Sequence, residues 1–135
     1  GSHEPDGPTT LMVRNIPADC RCEDLLWDWP IDGTYDLLYL PRRSGGRSAL
    51  GYAFINFVSP SHASAFLASW KLRRLSRFPH GRSLNIVSAE RQGFEAILHQ
   101  LRTKPASEMR SRGCEVVVVK DGQHVPLNEV LDQRL

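Results

Sequence analysis

The chain has 135 residues, 41% hydrophobic and 24% charged, a balance that suits one compact domain and excludes wholesale disorder. No stretch approaches the roughly 18 consecutive apolar residues of a membrane-spanning helix, so no membrane role is expected. The net charge is only +2, but residues 1–36 hold eight acids and two arginines, and residues 37–89 hold eight Lys/Arg and no acid. A basic region without carboxylates attracts polyanions, of which nucleic acid is the commonest.

Gly1-Ser2-His3 reads as the remnant of a cleaved tag, so residues 1–9 are expected to be a flexible leader on a piece of a longer protein. Thr10–Ile16 is short, apolar and alternating, which predicts a strand ended by Pro17. Glu23–Trp29 predicts a short helix with Leu25, Leu26 and Trp29 on one face, stopped by Pro30 and Asp32-Gly33. Tyr35–Leu40 predicts a second strand, and Pro41–Ala49 a basic loop around Gly45-Gly46. Leu50–Val58 is dense in aromatic and β-branched residues and predicts a third strand. Ser59 as cap and Pro60 in the first turn introduce a helix over Ser61–Leu72, with Ala65, Phe66, Ala68 and Ser69 expected on its buried face. A basic connection, Arg73–Arg82, leads to a fourth strand, Leu84–Ser88.

Beyond it, Arg91–Thr103 predicts an amphipathic helix, since Phe94, Ile97, Leu98 and Leu101 recur at helical spacing. Lys104–Gly113 is a polar link, and Cys114–Lys120 predicts a fifth strand whose four valines require burial on both faces. Asp121-Gly122 turns the chain, and Leu127–Leu135 suits a short helix with Leu127, Val130 and Leu131 inward. The core order predicts an α/β (α+β) fold: a ferredoxin-like βαββαβ sandwich, a four-stranded antiparallel sheet with two helices on one face, plus a C-terminal helix and extra strand. Residues 10–90 would form that core. Residues 91–135 would be an extension packed on the same domain, its helix either a lid on the open sheet face or, as we favour, a filler at the sheet margin.

Cys20, Cys22 and Cys114 read as reduced thiols of an intracellular protein, nuclear or cytoplasmic, and Cys20-x-Cys22 is too tight for a zinc knuckle. The five histidines are scattered. With no metal spacing, nucleophile–base pair or phosphate loop, neither metal, cofactor nor enzymatic activity is expected.

Leu11-Met12-Val13-Arg14-Asn15-Ile16 resembles the hexamer of an RNA recognition motif, and Leu50–Phe57 (LGYAFINF) resembles its octamer at seven of eight positions. More narrowly, Arg14-Asn15-Ile16-Pro17, Gly33-Thr34-Tyr35-Asp36, Tyr39-Leu40-Pro41, the octamer and Arg91-Gln92-Gly93 follow in an order similar to the C-terminal RNA recognition motif of the Mei-two-like family, associated with meiosis and development. The likeness spans roughly Thr10 to Gly122. It implies RNA binding, an extended C-terminal element and no catalysis. Met12 and Ser88 stand where aromatics are usual, Leu50 and Glu90 where basic residues are, and Arg21 where a helix-capping Thr is. These departures imply weaker or altered RNA binding.

Strand alternation places Tyr52 and Phe54 on one face with Asn56 beside them, opposite the core residues Ala53, Ile55 and Phe57. Leu11 and Val13 turn inward, and Met12 and Arg14 outward. The expected interface for single-stranded RNA is therefore Tyr52, Phe54 and Met12 against bases, Arg14 and Asn56 in polar contact, and Arg42, Arg43 and Arg47 on phosphates. Lys71, Arg73, Arg74 and Arg77 are expected on the far side, solvated or facing a partner. A monomer is expected, and the competing reading is a protein-interaction module on the same fold that uses Trp27, the third helix or the C-terminal strand. Solvent exposure of Tyr52 and Phe54 discriminates the two.

Overall fold

Alternation gives β1 (Thr10–Arg14) two unlike faces: Leu11 and Val13 are buried, Met12 is half-buried and Arg14 is exposed. β3 (Tyr52–Phe57) lies antiparallel to it, pairing Met12 with Phe54 and Arg14 with Tyr52. These are features of a computed structural model that describes residues 7–43, 48–103 and 115–132. β4 (Asn85–Ser88) pairs with the other edge of β1, and β2 (Tyr35–Leu40) with the other edge of β3. α1 (Cys22–Asp28) and α2 (Pro60–Trp70) complete the βαββαβ order. The chain continues through α3 (Phe94–Arg102), β5 (Glu115–Lys120), β6 (Gln123–Val125) and α4 (Leu127–Asp132).

The ferredoxin-like sandwich is present, and its sheet is larger than expected. Six strands run in the order β4-β1-β3-β2-β5-β6, every pairing antiparallel. β5 adds to the margin along β2. Asp121 and Gly122 both take positive φ, 52° and 76°, as a two-residue hairpin turn requires. The turn was legible, but the short strand it returns was not.

Two cores flank this sheet. On one side Leu11, Val13, Leu25, Trp29, Leu38, Ala53, Ile55 and Phe57 pack under α1 and α2. On the other, Ile97, Leu98 and Leu101 of α3 cover Leu37, Tyr39 and Val118. The valine run serves both: Val117 and Val119 join the first core, Val118 the second, with Val116 packed against it. A register shift between Tyr35 and Leu37 lets β2 change parity, so Tyr35, Leu38 and Leu40 face one core and Leu37 and Tyr39 the other.

One expected face needs correction. On α2 the stripe runs through Ala63, Phe66, Leu67 and Trp70, whereas Ala65, Ala68 and Ser69 are exposed. The i, i+3, i+4, i+7 set anchored by the two aromatics outcompetes one built from small residues. On α4, Val130 is buried and Leu127 packs beside it, while the side chain of Leu131 lies outside the described set.

Candidate nucleic-acid interface

The register places side chains in rows across the face that α1 and α2 leave free. One row reads Val87, Met12, Phe54, Tyr39, Val116 from β4 to β5. Its exposure falls along that direction, from 39% at Val87 to 2% at Tyr39. α3 is the cause, because it lies over the β2–β5 half, reaches Phe54 of β3 and leaves β4 and β1 more open. A neighbouring row holds Asn85, Arg14 and Tyr52. The margin placement therefore holds for β5, but α3 itself shares the face with the aromatics and abuts Phe54.

The aromatics form a connected set. Tyr52 and Phe54 meet edge to face with centroids 5.6 Å apart, and Phe54 stacks on Tyr39 at 6.2 Å. Tyr52, Phe54 and Met12 are all half-buried, supported on one side and open on the other. Where α3 meets the sheet, a cavity of about 210 Å³ is lined by Met12, Phe54, Glu90, Arg91, Ile97 and Gln100.

Besides the apolar contacts of Ile97, Leu98 and Leu101, polar bonds fasten the connection that leads into α3. The Gln92 side chain accepts from the backbone N–H of Thr9 and of Thr10, each at 2.9 Å, and donates to the carbonyls of Thr10 and Ala89. Gly93 N–H donates to Thr10 Oγ1 at 2.7 Å and takes φ of 101°, a conformation suited to glycine. This knot also captures Asn56. Its Oδ1 accepts from the Thr9 and Thr10 hydroxyls, and its Nδ2 donates to Asp36 at 2.8 Å. Burial raises the Asp36 carboxyl above its ordinary value, and the Asn56 hydrogen bond opposes that rise.

Two expected contact residues are thus corrected. Asn56 has the right strand parity but is buried and committed to Thr9, Thr10 and Asp36. Arg42 is also buried: it bridges to Ala49 across the hairpin, and its Nη1 donates to the Cys20 carbonyl at 3.1 Å. Arg43 is exposed, and Arg47 lies outside the described residues.

On the far side, the basic connection is tied down locally. Arg77 lies over the Trp27 ring at 4.7 Å and pairs with Asp24 at 3.1 Å, and Arg73 lies over Trp70 at 5.1 Å. Trp27 is 65% exposed, while Trp29 is buried.

Residues 8–102 match the family described as RNA recognition motif 2. The chain belongs to that family. Protein MEI2-like 3 of Oryza sativa subsp. japonica is 35% identical over 95 residues, 69% of this chain and 10% of that protein. Protein MEI2-like 2 of Arabidopsis thaliana is 33% identical over 127 residues, 91% of this chain and 15% of that protein. The chain therefore spans only a small part of the relatives it matches. In fold it is similar to the second RNA recognition motif of the yeast poly(U)-binding protein, with 23% identity and a TM-score of 0.52 over 62% of this chain and 96% of that one. It is likewise similar to a chain of an Sxl-lethal protein–RNA complex, with 19% identity and a TM-score of 0.54 over 65% of this chain and 50% of that one.

This RNA recognition motif also carries face residues outside the hexamer and the octamer. Val87 and Asn85 lie in the open rows, and alternation from buried Ile86 would have placed Val87 there. Gln100 and Arg91 reach the face only because α3 docks on it, which no local pattern announces. Among the described residues no helix is long and apolar enough to cross a membrane.

Proposed function

We propose that the open half-face of Met12, Arg14, Tyr52 and Phe54 binds single-stranded RNA. The observation that carries this reading is the partial exposure of Tyr52 and Phe54 on an uncovered sheet surface, while Ala53, Ile55 and Phe57 fill the core behind them. Open aromatic faces stack bases, at about 1–3 kcal/mol each by truncation. Arg14 beside Tyr52, and Arg43 at the hairpin end, supply positive charge for the backbone. With α3 over the β2 side, the sheet has room for about two or three stacked bases. The module binds by this reading and performs no catalysis, and its RNA contacts lie on one chain.

Titration of homopolymeric single-stranded RNAs at two salt concentrations tests this. Binding in the micromolar range that weakens with salt is expected at about 50 mM salt. Absence of binding with about 200 µM protein under those conditions would overturn the proposal in favour of a protein-interaction role.

A further inference from the structure

Beyond the sheet, where β1 ends and β3 begins, lies a groove of about 450 Å³ lined by Arg14, Tyr52, His80 and Arg82 above Ile16, Pro17 and Leu50. One wall is the end of the α2–β4 connection, fixed to β1 by a hydrogen bond from the Asn15 side chain to the Ser83 carbonyl at 2.9 Å. The Arg74 Nε–H donates to the Gly81 carbonyl at 2.9 Å and holds that wall from behind. Gly51 and Gly81 line the groove without side chains: Gly51 takes φ of 104°, and a Cβ on Gly81 would meet the Phe78 carbonyl oxygen at 3.1 Å. No carboxylate lines the groove. Arg14 and Arg82 are both exposed, and neither pairs with an acid among the described residues.

We infer that this groove holds one further nucleotide of the bound RNA, its phosphate between Arg14 and Arg82 and its sugar or base against Tyr52 and the apolar floor. The inference rests on the proposed RNA-binding role of the sheet, whose path it lengthens past Tyr52. Three features select this ligand. Two guanidiniums that pair with no acid among the described residues, in a groove lined by no carboxylate, suit a phosphodiester, which accepts their hydrogen bonds. An aromatic wall beside an apolar floor suits a ring that must leave water. The shared residues Arg14 and Tyr52 make groove and sheet face continuous. Arg82 and His80 thereby gain a role that neither the hexamer nor the octamer gives them.

The test compares RNAs of about three and about six nucleotides on the parent chain, Arg82→Ala, Arg82→Lys and Phe54→Ala. Backbone amide NMR shifts are followed at Gly51 and Gly81. The longer RNA should move both glycine signals, and the shorter one should not. Arg82→Ala should weaken the longer RNA roughly three- to tenfold, lower its salt slope by about 0.7, and leave the shorter RNA unchanged. Arg82→Lys should restore the slope but only part of the affinity. Equal effects on both lengths, or none on either, would overturn the groove inference. If Phe54→Ala still weakens binding by about fivefold or more in that case, the sheet reading stands alone. Unchanged affinity in Phe54→Ala would instead sink the sheet reading. Glycine shifts produced equally by a nucleoside monophosphate, or only by an acidic peptide, would assign the groove to a free nucleotide or to a protein and overturn it as part of the RNA path.

Discussion

Asn56 shares strand parity with Tyr52 and Phe54, yet it is buried and fastened to Thr9, Thr10 and Asp36. Parity reports direction, not cover, and the groups that claim Asn56 lie far from it in the chain. Arg42 teaches the same lesson: an arginine in a basic loop reads as solvated, and only the folded hairpin puts the Cys20 carbonyl within its reach. Gln92 is the reverse case, a residue that entered only through the family likeness and proves to have four backbone partners. Gln92→Ala should cost about 1–3 kcal/mol in urea unfolding, because it strands partly buried backbone groups. A cost below about 0.5 kcal/mol would show that water replaces the amide freely. Asp36 adds a pH signature. A carboxyl whose folded pKa is raised contributes most stability below its ordinary value, 3.8, and loses that contribution as pH rises through the raised value. Asp36→Asn keeps an acceptor for Asn56 without the charge. Its stability relative to the parent should therefore increase between about pH 3 and pH 7. Urea melts across that range check the sign, and a falling difference would contradict it.

At the scale of elements, α3 and β5 act as one unit. The amphipathic stripe of α3 and the valines of β5 are plain in the sequence, but each only announces that it needs burial. Which surface supplies it depends on β5 pairing with β2, a long-range choice that leaves Leu37, Tyr39 and Val118 as an apolar patch for Ile97, Leu98 and Leu101 to cover. Each of these three large side chains is buried, worth about 1.5–3 kcal/mol. Leu98→Ala should accordingly destabilise the fold by about 2–5 kcal/mol. Truncation after Ser88 should lower the melting temperature by several degrees or cause aggregation, since the β2 edge and Tyr39 lose their cover. It should leave RNA affinity no stronger. A stable truncated chain that binds RNA about tenfold more tightly would mean that α3 blocks the face rather than bounding it.

For the molecule as a whole, the sandwich and the identity of its open face were legible because two short motifs sit on adjacent central strands with strict alternation. The width of that face was not legible, since α3 sets it from a distance. The outcome is a divided surface: a covered half that stabilises an enlarged sheet, and an open half where Met12, Arg14, Tyr52 and Phe54 meet solvent. Charge follows the same division, with the far-side arginines engaged by Trp27, Asp24 and Trp70 while Arg14 and Arg43 remain exposed. The use of the open half for RNA is tested most directly by titrating single-stranded RNA into the parent chain, Tyr52→Ala, Phe54→Ala and Arg43→Ala at several salt concentrations. Each aromatic truncation should weaken binding by about 1–3 kcal/mol with the salt slope unchanged, and Arg43→Ala should flatten the slope by about 0.7. Unchanged affinity in both aromatic variants, with the parent binding RNA normally, would contradict the assignment of this face.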